Sequence, residues 1–193
     1  MEPQLCRYLT NCFLLLIPVL TWNVCLAKRL PWGYAPGGPW DHVPAWLGAV
    51  ESGLRAFVLV LPLLMRLDVS SAWQRAGLWL YVVGVIAYGV SWSAQVWAPN
   101  RAWSRSMLGF LAPAYTAGIW LTGIGMVGER LLVELPYRRS IYLAAVVAFV
   151  AVHTWHAYLA YDWVRRGEGA AQQGDQSDEA LGGTQPALQD RRG

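Results

Sequence analysis

Apolar residues in this chain gather in long, nearly unbroken runs separated by short charged clusters. Five runs approach the roughly 20 residues that a helix needs to cross a bilayer core: Leu9–Ala27, Pro44–Met65, Ala76–Trp97, Ser106–Val127 and Ser140–Tyr161. The second is the most polar, because its first half holds Glu51 and Arg55, yet Ala56–Met65 alone is too short to span. Pro44 suits a first helical turn, where a missing N–H costs nothing. Pro18, Pro62 and Pro113 fall inside runs and predict kinks. From Gly167 onward the chain turns to Gly, Gln, Asp and Ala without apolar periodicity, the composition of a disordered tail. The pattern predicts an all-α polytopic membrane protein, a bundle of five transmembrane helices over residues 1–166 with a disordered polar tail over 167–193.

Composition agrees with that pattern. Of 193 residues, 55% are hydrophobic and 14% charged, where soluble domains carry about 25% charged residues. A net charge of +3 with no basic stripe excludes a nucleic-acid partner. The cysteines, Cys6, Cys12 and Cys25, are odd in number and form no Cys-x-x-Cys pair. That argues against a disulfide framework or a thiol oxidoreductase and for buried small hydrophobes. The first run follows a single basic residue, Arg7, and ends at Lys28-Arg29 without a small-x-small cleavage site, so it reads as a retained helix. Trp32, Trp40, Trp46, Trp97 and Trp103 lie where spans meet loops and read as interfacial anchors, whereas Trp22, Trp92, Trp120 and Trp155 lie deeper. The first loop, Lys28–Val43, is rich in Pro, Gly and aromatic residues and is expected to pack on the membrane face. Basic residues divide evenly between the two sides, so the orientation stays open.

Polar groups inside a membrane are costly, and each is a candidate for function. Asn23 lies in the first span, Glu51 and Arg55 in the second, Gln95 in the third, and His153 and His156 in the fifth. Counting helical rise from the span ends puts Arg55 roughly 16 Å deep. It also puts all these groups, with Trp92 and Tyr115, in one half of the bilayer. Glu51 and Arg55 are spaced i, i+4 and able to pair. Tyr81, Tyr88, Trp92 and Gln95 form one stripe of the third span, and Phe149, His153 and His156 one stripe of the fifth. Facing each other, these stripes would enclose an aromatic chamber with a charged floor. The alternatives are a structural Glu–Arg pair, imidazoles that bond neighbouring helices, and aromatic stripes that only pack. Two histidines at i, i+3 with one glutamate do not match a strong metal-ligand spacing, so no metal is expected, and no cofactor. Gly84, Gly89, Gly118, Gly123 and Gly125 are expected to let helices approach closely.

Several chemistries lack their motifs. There is no Gly-x-Ser-x-Gly elbow, His-Glu-x-x-His helix, Walker loop or Rossmann fingerprint. Tyr137-Arg138-Arg139-Ser140 stands where isoprenylcysteine methyltransferases would carry Arg-His-Pro, and no span holds the aspartate cluster of a CDP-alcohol phosphotransferase. What is present suits an apolar chain reacting through a cation, which aromatic faces stabilise by about 0.5–2 kcal/mol each. The segments Thr21-Trp22-Asn23, Leu30-Pro31 with Tyr34, Glu51 to Arg55, Ser91-Trp92 and Ala112-Pro113-Ala114-Tyr115-Thr116 carry a resemblance. Over residues 13–161 the chain resembles small bacterial five-span terpene cyclases, the kind that close farnesylated indole or diketopiperazine substrates in drimentine and xiamycin pathways. The resemblance implies proton-initiated cyclisation of a prenyl chain without loss of diphosphate, in a bacterial cell membrane. The expected catalytic set is Glu51 as donor with Asn23, Arg55, His153 and His156. The expected substrate wall is Trp22, Tyr88, Trp92, Gln95 and Tyr115. The expected partners are an apolar prenylated small molecule and membrane lipids. A non-catalytic lipid carrier, or an accessory subunit of a membrane complex, is the competing expectation.

Overall fold

The computed structural model describes residues 10–31, 34, 39–133 and 136–182. It is all-α, with five helices long and apolar enough to cross a membrane: Cys12–Arg29, Ala45–Leu63, Ala72–Trp97, Met107–Val127 and Arg139–Gly167. We call their α-helical parts α1 (Ile17–Leu26), α2 (Ala45–Val60), α3 (Ala72–Trp97), α4 (Met107–Val127) and α5 (Arg139–Gly182). Many large apolar side chains face outward, among them Val24, Trp79, Val147 and Leu108. This is the surface that lipid demands and water penalises.

The termini of the helices follow local chemistry. Ser71 and Gln74 form a capping box at α3, which therefore starts a turn earlier than the apolar run. Ser106 Oγ accepts from Gly109 N at the start of α4, after a single helical turn at Ala102–Arg105. Pro18 does not kink a continuous helix but sits in the first turn of α1, after a 3-10 turn at Cys12–Leu15. At Pro62 the α-helix gives way to a 3-10 turn, Leu61–Leu63. The start expected at Leu9 lies outside the described residues. Where a polar tail is expected from residue 167, helical backbone continues to Gly182, and 183–193 lie outside the described residues.

The bundle is built around α4, whose apolar window is 72% buried against 22% to 28% for the other four. Helices α3 and α4 meet backbone to backbone. A Cβ on Gly84 would lie 2.4 Å from Trp120 N, and one on Gly123 would lie 2.5 Å from Tyr81 N. Gly118 and Gly125 meet side chains of α5 instead, whereas Gly89 has nothing within 4 Å and brings no helix closer. On the side away from the first loop, backbone bonds tie three loops together: Cys12 N to Met65 O, Arg66 N to Arg130 O and Leu132 N to Leu64 O.

Two prolines leave a carbonyl without its helical donor, and a buried side chain answers each. Pro62 cannot donate to Val58 O, which instead accepts from Tyr142 Oη at 3.1 Å. Pro113 cannot donate to Gly109 O, which accepts from Gln95 Nε2 at 2.6 Å. Gln95 also donates to Ser104 O at 3.3 Å, which holds the turn between α3 and α4.

Candidate functional site

Glu51 lies on α2 and is 2% exposed. Its i+4 neighbour Arg55 donates through Nη2 to Oε1. Across the helix interface α5 presents His153 and His156, one turn apart on the same face. His153 Nδ1 lies 3.0 Å from Oε1, and His156 Nδ1 bonds Oε2. One carboxylate thus gathers a guanidinium and two imidazoles, and both of its oxygens are engaged. In each imidazole the carboxylate takes Nδ1, which leaves Nε2 as the second ring nitrogen. Among the described residues no set of three His, Cys, Asp or Glu side chains is arranged to hold a metal ion.

This cluster stands at the seam of two cavities. The first, about 410 Å³, takes lining from all five helices, including Asn23, Arg55, Tyr88, Trp92, Trp120 and His153. Its remaining wall is largely aliphatic, from Leu16, Val19 and Leu20 to Leu59. The second, about 450 Å³, holds Glu51, His156 and Asp41 under an aromatic cover of Tyr34, Trp40 and Phe110. Arg55, Trp92, Pro113 and His153 line both. In the first cavity Tyr88 Oη donates to Asn23 Oδ1 at 2.7 Å, fixing the asparagine from α1 against α3. Phe149 stacks on His153, with ring centroids 5.2 Å apart.

The first loop supplies Tyr34 and Trp40 of this cover, while Phe110 comes from α4; residues 32, 33 and 35–38 of that loop lie outside the described residues. Tyr34 Oη donates to Phe110 O at 2.7 Å, one residue after the carbonyl that Pro113 frees, and its ring stacks on Phe110. Burial pushes the Tyr34 hydroxyl well above the usual tyrosine range, so it stays a donor. Trp40 meets His156 edge to face at 5.1 Å, and His42 stacks on Trp163 at 4.3 Å. Trp40 therefore walls the second cavity. Trp46, Trp97 and Trp103 are exposed near span ends, as anchors are. Trp32 lies outside the described residues.

Three expected wall residues are placed elsewhere. Gln95 is engaged by Gly109 and Ser104 carbonyls and lines neither cavity, because the proline-broken turn of α4 claims its amide. Tyr115 points outward, 38% exposed, with its hydroxyl 3.3 Å from Leu108 O, because two residues of helix separate it from the cavity-lining Pro113 and turn it to the other side of α4. Trp22 packs edge-on against Trp97 at 6.4 Å and lines neither cavity. Asn23, Glu51, Arg55, Tyr88, Trp92, His153 and His156 do converge. Trp120, Phe110 and Trp40 join them without having been singled out for the site. Their signal was aromatic character at depth, which packing residues share. In comparisons with protein-family models, curated proteins and solved structures, nothing matches the chain.

Proposed function

We propose that this protein is a membrane-embedded terpene cyclase of a bacterial cell membrane. It would close a prenyl, farnesyl-type chain carried on a small-molecule acceptor by proton-initiated cyclisation. The observation that carries the proposal is the Glu51 cluster at the seam of two cavities that each have aromatic faces in their walls, each within the roughly 300–1,000 Å³ range of ligand sites. With both oxygens of Glu51 occupied, the carboxylate holds and orients, and an imidazole delivers. In this reading His153, which lines both cavities, gives a proton from Nε2 to an alkene carbon of the bound chain. A C–H bond forms as one π bond opens, and a second alkene attacks the cation to form the ring bond. A proton lost from the carbon beside the final cation returns to the imidazole. Substrate and product are then isomers, and no co-reactant is consumed. Tyr88, Trp92, Trp120 and Phe149 offer π faces along the path, each stabilising a cation by about 0.5–2 kcal/mol.

Membranes containing the protein, incubated in D2O with a panel of farnesylated small molecules, test this directly. The expected product has the formula of its substrate and carries one deuterium on a ring-bearing fragment. Unchanged substrates across the panel overturn the proposal, as does a cyclised product without deuterium. One observation favours a carrier as the second reading: the first cavity is mostly aliphatic and holds no carboxylate. A carrier would bind the same chains saturably and return them intact.

A further inference from the structure

Two residues of the first cavity hold hydrogen-bond donors that nothing in the chain uses. Arg55 donates to Glu51 through Nη2, and among the described residues its remaining N–H groups have no partner. Asn23 receives the Tyr88 hydroxyl on Oδ1, which leaves its NH2 as a second open donor. Both groups can be reached, since the Arg55 side chain is 50% exposed and Asn23 is exposed as well. Both line this cavity, and no Asp or Glu does. Glu51, at the seam, has its two oxygens taken by Arg55, His153 and His156. Depth removes another source of acceptors. Arg55 lies about 15 Å along α2 from Ala45, near the middle of a hydrocarbon core roughly 30 Å thick. Arginines near helix ends snorkel to lipid head groups, and one at this depth does not. Its acceptor has to come into the cavity.

Charge sets the class of that acceptor. Glu51 balances Arg55. The acid form of His153, which the proposed proton route requires, adds a positive charge that no side chain of the first cavity cancels. Asp41 lines the second cavity and not the first. An uncompensated charge inside a membrane is costly. We infer that the substrate supplies the missing negative charge: the first cavity binds an apolar, prenyl-type chain whose head bears a carboxylate, seated on the open N–H groups of Arg55 and the NH2 of Asn23. A guanidinium fork suits a carboxylate, and such charge-assisted bonds are the strong ones. Glu51, Arg55, the imidazolium and the bound carboxylate then sum to zero. The chain lies along Leu16, Val19, Leu20 and Leu59, with Nε2 of His153 left to its alkene. The inference rests on the reading of His153 as the acid of a prenyl site, and it adds the head group that the site recognises.

The test uses the full chain in lipid nanodiscs and three probes of one chain length: farnesoic acid, its methyl ester and farnesyl phosphate. Binding is read by tryptophan fluorescence and mutual competition, against empty nanodiscs that report partition into lipid alone. The acid is expected to bind at least about tenfold tighter than the ester, the gain of charge-assisted hydrogen bonds. Arg55→Gln should weaken the acid at least about tenfold and leave the ester within about twofold. Asn23→Asp keeps the side chain's shape and the oxygen that Tyr88 uses, and it sets a like charge against the head group. It should weaken the acid about fivefold or more and spare the ester, and its exposed position keeps the test open should Arg55→Gln fail to fold. Equal affinity for acid and ester overturns the inference, as does an acid preference that survives Asn23→Asp. Tightest binding of the phosphate also overturns it, because the head would then carry more charge than one imidazolium balances. An acid preference with no cyclised product would leave this inference standing and remove the cyclase. Deuterated product without the preference would do the reverse.

Discussion

Replacing Glu51 by glutamine keeps the shape of the side chain and removes its charge, and the structure sets how much should be lost. Three donors converge on this carboxylate. A hydrogen bond to a charged group contributes about 1.5–3 kcal/mol, but the Arg55 side chain is 50% exposed, so its share falls to roughly 0.2–1 kcal/mol. Glutamine still offers an oxygen to one partner, while its NH2 meets another where an acceptor stood. The net loss is about 2–3 kcal/mol, near the lower end for breaking a buried charged pair. For a chain of this size that lowers the melting temperature by roughly 5–10 °C. The measurement is thermal unfolding in detergent followed by tryptophan fluorescence, with turnover in membranes assayed beside it at a temperature where the variant remains folded. Turnover is expected to fall at least a hundredfold, within the roughly 10²–10⁴ range of general acid–base groups. A variant with unchanged melting temperature would show that Glu51 does not hold the cluster together. A variant that melts early but turns over at the normal rate would make the cluster a structural clamp and refute the proton route.

Further outcomes follow from the packing. Gly84→Ala should destabilise the bundle by about 1–3 kcal/mol, because its Cβ would press on the Trp120 backbone; Gly89→Ala, with open space around it, should be neutral or stabilise by up to about 1 kcal/mol, and the pair is read by unfolding in detergent. Gln95→Leu strands the Gly109 carbonyl that Pro113 has already deprived of a donor, costing about 1–3 kcal/mol in the same assay. Tyr115→Phe should change stability by no more than about 0.5 kcal/mol, and turnover should stay within about twofold of the parent, because its hydroxyl faces outward.

What the sequence shows of this molecule, and where it stops, follows from which forces are local. Spans are legible because lipid acts on every residue of a run; α3 starts a turn early, at the capping box that Ser71 and Gln74 add, and α5 runs past Tyr161 to Gly182, where a polar composition leaves no apolar pattern to read. The convergence of Glu51, Arg55, His153 and His156 was legible because depth and helical face are periodic functions of position. The fate of Gln95 was not. Its spacing matches the stripe of Tyr81, Tyr88 and Trp92, and only the contact between α3 and the start of α4 reveals that Gly109 O takes the amide. A buried polar residue within reach of a proline-containing helix is therefore ambiguous between site and repair, and the freed carbonyl four residues before the proline is the place to look first. Applied to this chain, that test separates Gln95 and Tyr142, which serve freed carbonyls, from Glu51, His153 and His156, which serve one another. Backbone repair accounts for the first two without any ligand. It offers nothing for a carboxylate that has drawn two imidazoles and a guanidinium to the junction of two cavities, and that residue of unexplained polarity is the physical ground for placing chemistry there.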